Sequence, residues 1–369
     1  MIPVNEPVIG ARERELVLQC LETGWISSDG PFVSQFEERF ASSVGRKHGI
    51  AVTNGSAALD AAVSALGLQP GDEVIMPTFT IISCVTAILR ANAVPVPVDC
   101  DAGTWNSTAQ AVLAAVTPKT RAIMVVHIYG LPVDMDPILA FAKERGIAVV
   151  EDAAEAHGLT YKGRPCGSFG DVSTFSFYPN KHITTGEGGM IVTDDEKIAQ
   201  KCRSLRNLGF NAKRRFVHEE LGWNLRMTNL QAAMGLGQIE RLEQAVAKKR
   251  AMGRRYRELL HDDNRLQLPL ERTTGGENVY WVFGLVLSDA NPFDATEMMR
   301  RLADKKIGTR PFFWPMHEQP VLNRMGLFKG ASLPAAERIA RRGFYIPSGL
   351  ALTEGQMVEV AAAVKEVLA

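Results

Sequence analysis

The stretch FSFYPNKHITTGEGGM, residues 175–190, joins an apolar run to a glycine-rich turn and places Lys181 beside His182. The glycines of TTGEGG permit a sharp turn because glycine tolerates positive φ. A lysine on such a turn is usually a solvated surface residue. A phosphate-binding loop places its lysine after the glycines, whereas here the lysine precedes them, so that interpretation fails. A lysine at the mouth of an α/β sheet has a further use, which is to form a Schiff base with an aldehyde cofactor.

Strand-like and helix-like patterns alternate outward from this stretch over the first two thirds of the chain. The strand candidates are nearly all apolar, which is typical of a mainly parallel sheet covered on both faces; they are HGIAVT, DEVIMPTFT, VPVPVDCD, RAIMVVHIYG, IAVVEDAA, STFSFY and GGMIVTDD. Residues 229–260 form one long helical pattern, and the remainder suits a smaller α+β domain. We therefore predict an α/β fold with a large domain over residues 1–240 and a small C-terminal α+β domain over residues 241–369.

The composition is that of an ordinary globular protein, with 46% hydrophobic and 22% charged residues among 369. Lys+Arg and Asp+Glu both number 41, so the net charge gives no indication of a nucleic-acid or membrane partner. We see neither a signal peptide nor an apolar run long enough to span a bilayer, and we expect a cytoplasmic protein. Five cysteines without a CxxC pair predict free thiols and no metal site.

A cofactor on the lysine of this turn needs two further partners. Pyridoxal phosphate requires a carboxylate at its ring nitrogen, and Asp152 follows an apolar strand, where α/β sheets bind ligands. Asp152 has the alternative role of capping the next helix. The phosphate requires backbone N–H groups, which a strand-to-helix turn offers at Gly55, Ser56 and Ala57. Ser176 adds a hydroxyl group, so the residues together favour a pyridoxal phosphate site.

The order of phosphate turn, carboxylate, serine and lysine resembles that of fold-type I pyridoxal phosphate enzymes. Over nearly its whole length the chain resembles the DegT/DnrJ/EryC1/StrS aminotransferases. The resemblance rests on TNGSAALDAA, DEVIMPTFT, EDAAEAHG, GSFGDVSTFSFYPNKHITTGEGGMIVTDD and NLRMTNLQAAMGLGQIE. It implies a fold-type I aminotransferase, pyridoxal 5′-phosphate as cofactor, and transamination of a nucleotide-linked keto sugar.

The resemblance also implies roles for individual residues. Lys181 forms the Schiff base with the cofactor, and Asp152 pairs with the pyridine nitrogen. Glu155 stands where the family has Gln or Glu near the phenolic oxygen of the cofactor. Ser176 and the turn at residues 55–57 hold the phosphate.

Two positions bear on the subunit interface and on the cofactor ring. The resemblance implies that Asn224 reaches the phosphate of a neighbouring subunit's cofactor, which predicts a homodimer with a shared active site. Many relatives place an aromatic residue on the pyridine ring at the position of Ile81. Because this chain has an aliphatic residue there, we expect apolar rather than aromatic packing against the ring.

The choice between Lys181 and His182 separates two reactions. One branch of the family resembles GDP-4-keto-6-deoxymannose 3-dehydratases, in which histidine replaces the lysine in a motif close to YPxHHITxGEGG. This chain reads YPNKHITTGEGG, so the position that holds the cofactor is Lys181, and His182 is expected to support it. A lysine amine can hold the cofactor and move protons, whereas histidine can only move protons. A dehydratase and a regulatory cofactor-binding protein remain as alternatives.

Further stretches resemble the subgroup that forms GDP-perosamine, namely ETGWISSDGPFVSQFEERFA, RAIMVVHIYGLPVDMDPI, NVYWVFGLVL and GTRPFFWPMHEQP. This resemblance implies that glutamate donates nitrogen to C4 of GDP-4-keto-6-deoxy-D-mannose, a step toward lipopolysaccharide O-antigen. It places Trp25, Ser27, Arg310 and His317 on the substrate side. The alternatives are that these aromatic-rich segments serve packing, and that the acceptor is a UDP- or dTDP-linked keto sugar.

Overall fold

A seven-stranded sheet forms the centre of the computed structural model, which describes residues 1–210, 214 and 216–369. The first nine strands are β1 (His48–Val52), β2 (Glu73–Pro77), β3 (Val94–Val98), β4 (Thr120–Val126), β5 (Ala148–Asp152), β6 (Thr160–Tyr161), β7 (Arg164–Pro165), β8 (Val172–Ser176) and β9 (Gly189–Thr193). The central sheet has the order β1-β9-β8-β5-β4-β2-β3, and β6 pairs with β7 separately. Every neighbouring pair in the central sheet is parallel except the two pairs that β9 makes.

Helices cover both faces of this sheet, which explains why its strands are apolar throughout. They are α1 (Ala11–Thr23), α2 (Pro31–Ser43), α3 (Gly55–Ala65), α4 (Ile82–Arg90), α5 (Ala109–Ala114), α6 (Met135–Arg145), α7 (Glu196–Arg206) and α8 (Asn229–Ile239). Alternate strand residues enter different cores: Ala51 packs with α1, α2 and α8, whereas Ile50 and Val52 pack with α3, α4 and α7. The predicted α/β fold with a mainly parallel sheet is confirmed.

The C-terminal third of the chain forms an antiparallel sheet with its own helices. The strands β10 (Leu266–Gln267), β11 (Phe283–Leu287), β12 (Arg310–Pro311) and β13 (Gly343–Ile346) take the order β10-β11-β13-β12. The helices are α9 (Leu242–Leu260), α10 (Ala295–Asp304), α11 (Pro320–Arg324), α12 (Pro334–Arg342) and α13 (Glu354–Leu368). A third apolar core joins this sheet to α9, α10 and α13, and Ile2 packs into it beside Ile307.

The prediction of a single helix over residues 229–260 is wrong, because the helical geometry is interrupted between α8 and α9. Arg241 leaves helical geometry at φ −120° and ψ 18°. Its guanidinium pairs with Glu13 at 2.6 Å, and Gln238 donates to the carbonyl of Val8 at 3.0 Å. These contacts hold the break against the first turn of α1 and the segment before it. The division predicted at residues 240 and 241 falls at this break and stays a prediction.

Strand β3 lies at one edge of the central sheet and carries two prolines. The amide of Val94 faces inward and donates to Asp72 at 2.8 Å. Because donors alternate along a strand, the nitrogens of Pro95 and Pro97 face away from β2. Proline has no N–H, so this edge presents no donor at either position.

The five cysteines are all buried and unpaired, as the sequence predicts. Within the described part of the chain, no helix is both long enough and apolar enough for a bilayer crossing.

Candidate active site

A cavity of about 580 Å³ opens where the carboxyl ends of β1, β2, β4, β5 and β8 meet the C-terminal sheet. Its lining contains six of the predicted site residues, Gly55, Ser56, Asp152, Glu155, Ser176 and Lys181. These residues come from three separate segments of the sequence. The position agrees with the rule that parallel α/β sheets bind ligands at their carboxyl edge.

One wall of the cavity is the start of α3. Asn54 caps this helix, and its Oδ1 accepts from the amide of Ala57 at 2.8 Å. The Ala57 N–H is therefore already used, and the amides of Gly55 and Ser56 are the first two of the helix, which have no intrahelical acceptor. A Cβ on Gly55 would lie 2.7 Å from Cβ of Ser176. Glycine at this position is what allows the helix N-terminus to approach the Ser176 hydroxyl.

Asp152 ends β5, and two donors hold its buried carboxylate. Oδ1 accepts from the amide of Ala154 at 3.0 Å, and Oδ2 lies 3.4 Å from Sγ of Cys84. Burial raises the pKa of Asp152, and these donors, together with the charge of Lys181, act in the opposite direction. A cationic partner within the cavity would therefore stabilise the ionised form.

Glu155 is a second buried carboxyl group in the same cavity. Burial raises the pKa of Glu155 to about 8, while the Lys181 charge and the amide of Tyr129 lower it. That amide donates to Oε2 at 2.7 Å. Tyr129 has a left-handed backbone, with φ 55°, a strained conformation for a bulky residue. The strained turn directs the Tyr129 N–H toward the carboxylate.

Lys181 lies at the floor of the cavity beneath an aromatic ring. Its Nζ is 3.9 Å from the centroid of the Trp281 ring. Burial lowers the pKa of Lys181, and the charges of Glu155 and Asp152 raise it. A buried amine with a lowered pKa is more often unprotonated, which is the form that attacks an aldehyde.

His182 points away from this cavity, into the protein. Its Nε2 lies 2.9 Å from the carbonyl of Val279. Burial lowers the pKa of His182 to about 3, so the ring is neutral at physiological pH. The geometry is that of a side chain behind Lys181, and the supporting role stays a prediction.

Ala57 and five other predicted residues lie outside the cavity lining, and these five are Trp25, Ser27, Asn224, Arg310 and His317. The first four are exposed at the surface. Asn224 follows a loop whose residues 211–213 and 215 lie outside the described part of the chain, and its Oδ1 accepts from Arg226 at 2.9 Å. The roles assigned to these residues stay predictions.

His317 is buried in a polar chain of its own. Nδ1 is 2.8 Å from Oγ1 of Thr78, and Nε2 is 3.0 Å from Oε1 of Glu337. Both ring nitrogens therefore have partners in the protein. Thr78 follows β2 and lies two residues before Thr80, which does line the cavity, so His317 contacts the segment that leads from β2 to the cavity wall.

Sequence reasoning missed several residues of the site. Trp281 and Tyr345 form an aromatic wall with Phe313, which lies in the segment 310–317 predicted on the substrate side. The rings of Trp281 and Phe313 stack with centroids 6.5 Å apart. Cys84 contacts Asp152 across a separation of 68 residues. No periodic signal in the sequence predicts these contacts, because they join segments that meet only after both sheets have formed.

The residues fit pyridoxal phosphate on three structural observations. The close approach of Gly55 to Ser176 leaves two helix amides and a hydroxyl for a phosphate group. The buried carboxylate of Asp152 suits a protonated ring nitrogen. The amine of Lys181 is available beside them, over the Trp281 ring.

Residues 7–365 match the family model for DegT/DnrJ/EryC1/StrS aminotransferases. The chain belongs to the DegT/DnrJ/EryC1/StrS aminotransferase family. Its match to GDP-perosamine synthase of Caulobacter vibrioides is 42% identical over 368 residues, covering 100% of this chain and 98% of that protein.

Two further similar proteins support the assignment of this chain as an aminotransferase. The putative pyridoxal phosphate-dependent aminotransferase EpsN of Bacillus subtilis is 34% identical over 370 residues, covering 97% of this chain and 94% of that protein. The crystal structure of the aminotransferase TlmJ from Streptoalloteichus hindustanus superposes with a TM-score of 0.92 at 30% identity, covering 100% of this chain and 99% of that one. The protein is thus a fold-type I aminotransferase, and its cofactor is pyridoxal phosphate.

Proposed function

We propose that the protein transfers an amino group from glutamate to C4 of GDP-4-keto-6-deoxy-D-mannose and so forms GDP-perosamine. The family assignment and the 42% identity to a GDP-perosamine synthase over the full chain support this proposal. The observation that carries the reaction type is the amine of Lys181 in one cavity with Asp152 and the Gly55–Ser176 approach. Glutamate leaves as 2-oxoglutarate, and the keto oxygen of the sugar leaves as water.

Lys181 has two tasks in this proposal. When bound, pyridoxal phosphate supplies an aldehyde that links to an amine and a ring that delocalises the electron pair left after proton removal. Lys181 would hold that aldehyde when the cofactor is bound. Its amine, when free, would take the Cα proton of the donor as a general base and return it as a general acid. The lowered pKa of Lys181 favours the basic form.

The remaining residues of the site position the cofactor and polarise its ring. Asp152 keeps the ring nitrogen protonated, because its carboxylate is buried and held by two donors. Glu155 faces the phenolic oxygen. The amides of Gly55 and Ser56 and the hydroxyl of Ser176 bind the phosphate, which the positive end of α3 also favours.

We also propose a homodimer in which Asn224 of a second copy contacts the phosphate. Asn224 is exposed on the described surface, which is compatible with a contact between subunits. Sedimentation tests the dimer, and Asn224→Ala tests the contact: cofactor affinity should fall while the dimer persists.

The substrate is tested with a panel of GDP-, UDP- and dTDP-linked 4-keto sugars, with glutamate as donor and product mass and stereochemistry as readouts. We expect amination at C4 of the GDP sugar. Reaction with only a UDP- or dTDP-linked sugar would overturn the assigned acceptor. Loss of the 3-hydroxyl group without amination would show the dehydratase instead, and no reaction with any donor would favour a regulatory protein.

The role of Lys181 is tested separately with Lys181→Ala. The loaded wild type should absorb at about 410–430 nm and carry a cofactor that borohydride fixes to the chain. Lys181→Ala should lose both properties, whereas Lys197→Ala, at an exposed lysine on α7, should keep them. A borohydride-fixed adduct in Lys181→Ala would refute the assignment.

A further inference from the structure

Lys249, on α9, is a buried lysine that the reaction does not use. Only 3% of its surface is exposed, and its Nζ donates to the carbonyl of Trp281 at 2.8 Å and to the carbonyl of Ser348. Burial lowers the pKa of Lys249 to about 7, and no opposing charge contributes. A buried amine without a charged partner is destabilising compared with an apolar side chain of similar shape. The burial of Lys249 therefore suggests a role for its two hydrogen bonds.

The contact with Trp281 leads directly to the active site. The Trp281 ring lies over Nζ of Lys181 at 3.9 Å. Its indole N–H donates to the carbonyl of Asn180 at 3.0 Å, the residue before the reactive lysine. Trp281 is therefore fixed at two points, the carbonyl by Lys249 and the ring by the Lys181 turn.

The contact with Ser348 links Lys249 to the Lys181 turn by a second route. The amide of Ser348 donates to Val4 at 3.0 Å, and the neighbouring Asn5 donates from its side chain to the carbonyl of Pro179 at 2.9 Å. Lys249 thus joins α9 to the segment entering β11 and to the segment after β13. Both of these segments are in turn hydrogen-bonded, directly or through residues 4–5, to residues 179–180, next to Lys181.

We propose that Lys249 is a positioning residue of the aminotransferase site: it fixes Trp281, whose ring covers the amine of Lys181. The inference rests on the proposed role of Lys181. A ring held over an ammonium group favours the charged form through a cation–π interaction. Loosening the ring should therefore make the Lys181 amine easier to deprotonate.

The charge of Lys249 predicts the opposite effect, which makes the proposal testable. If Lys249 acted only by its charge, its removal would relieve repulsion between two amines and raise the pKa of Lys181. If it acts through Trp281, its removal lowers that pKa. The other charged groups that act on Lys181 are Glu155 and Asp152, which raise its pKa. His182 lies close to Lys249, Lys181 and Arg250, and all of these other groups stay unchanged in the variants.

The experiment measures the rate at which pyridoxal phosphate attaches to the cofactor-stripped full chain between pH 6 and about 10, since the rate follows the unprotonated amine. Lys249→Met and Trp281→Leu should each lower the apparent pKa of this profile by about 0.5–1 unit. The double variant should match Trp281→Leu alone, because both changes act on one ring. Lys248→Met, at the exposed neighbour on α9, should leave the profile unchanged.

An additive double variant, an unchanged profile or a raised pKa in Lys249→Met would each overturn the proposal. If Lys249→Met does not fold, Lys249→Gln replaces it, because the shorter amide cannot reach both carbonyls; a wild-type profile would then overturn it. Failure of the wild type itself to attach the cofactor at Lys181 would refute the proposed function instead. The two failures are therefore distinguishable.

Discussion

Gly55→Ala tests whether the approach of α3 to Ser176 forms the phosphate site. The backbone of Gly55 does not have positive φ, so alanine is conformationally allowed and the effect is steric. The added Cβ would lie 2.7 Å from Cβ of Ser176 and 3.2 Å from its Oγ. Ordinary contacts begin at 3.4 Å, so the two elements must separate by about 0.7 Å at this point.

A separation of this size removes a hydrogen bond from the phosphate. Such bonds extend over only about 2.5–3.0 Å for a hydroxyl donor, so the Ser176 hydroxyl loses its phosphate partner or the helix amides lose theirs. A hydrogen bond to a charged group contributes about 1.5–3 kcal/mol. The dissociation constant of pyridoxal phosphate should therefore rise by about 10- to 150-fold.

The assay titrates cofactor-stripped protein with pyridoxal phosphate and follows the absorbance at about 410–430 nm. Gly355→Ala is the matched control, because Gly355 also lies in the first turn of a helix, α13, with no atom within 4 Å of the added Cβ. The control should bind like the wild type. Wild-type affinity in Gly55→Ala would refute the assigned phosphate site.

Three further predictions concern neighbouring residues. Cys84→Ala should weaken cofactor binding several-fold, because Asp152 loses a donor at 3.4 Å, whereas Cys84→Ser should bind like the wild type; equal losses would contradict this. Glu151→Leu should lower the free energy of unfolding by about 3–6 kcal/mol in urea titrations, because it leaves His127 and several backbone donors buried without an acceptor, with Glu151→Gln affected less. The pKa of His182, lowered from 6.5 to about 3, means that only the unfolded chain takes up this proton between those values. Stability should therefore fall as the pH drops from 6.5 toward 3, by up to about 1.4 kcal/mol per pH unit. His182→Gln should lessen this dependence, and an unchanged slope would show that the ring is not the group responsible.

The fold class and the site residues at strand ends could be predicted from the sequence, for a physical reason. Apolar runs identify buried parallel strands, and the carboxyl ends of such strands meet at one edge. Asp152 and Ser176 follow directly from that rule. Gly55 and Ser56 could be predicted as phosphate-binding residues because the first amides of a helix have no intrahelical acceptor. The Ala57 amide is instead bound by the Asn54 side chain, and this depends on a rotamer that the sequence pattern does not predict.

Contacts between distant segments could not be predicted in this way. Trp281 covers Lys181 from 100 residues away in sequence, a contact set by how the two sheets pack together. Lys249 contacts Trp281 from α9, which packs on the same C-terminal sheet, and this contact exists only once that sheet and α9 have formed. The break at Arg241 escaped prediction for a similar reason, because the residues around it favour helix and the contacts with Glu13 and Val8 decide the outcome.

The prolines of β3 have a consequence for how copies of this protein can associate. An exposed strand edge normally acts as a template on which another chain can add a strand. With Pro95 and Pro97 in the outward positions, an incoming strand would find two missing donors and two ring methylenes in its path. Ordered growth of the central sheet through β3 into fibrils or continuous sheets is thereby blocked.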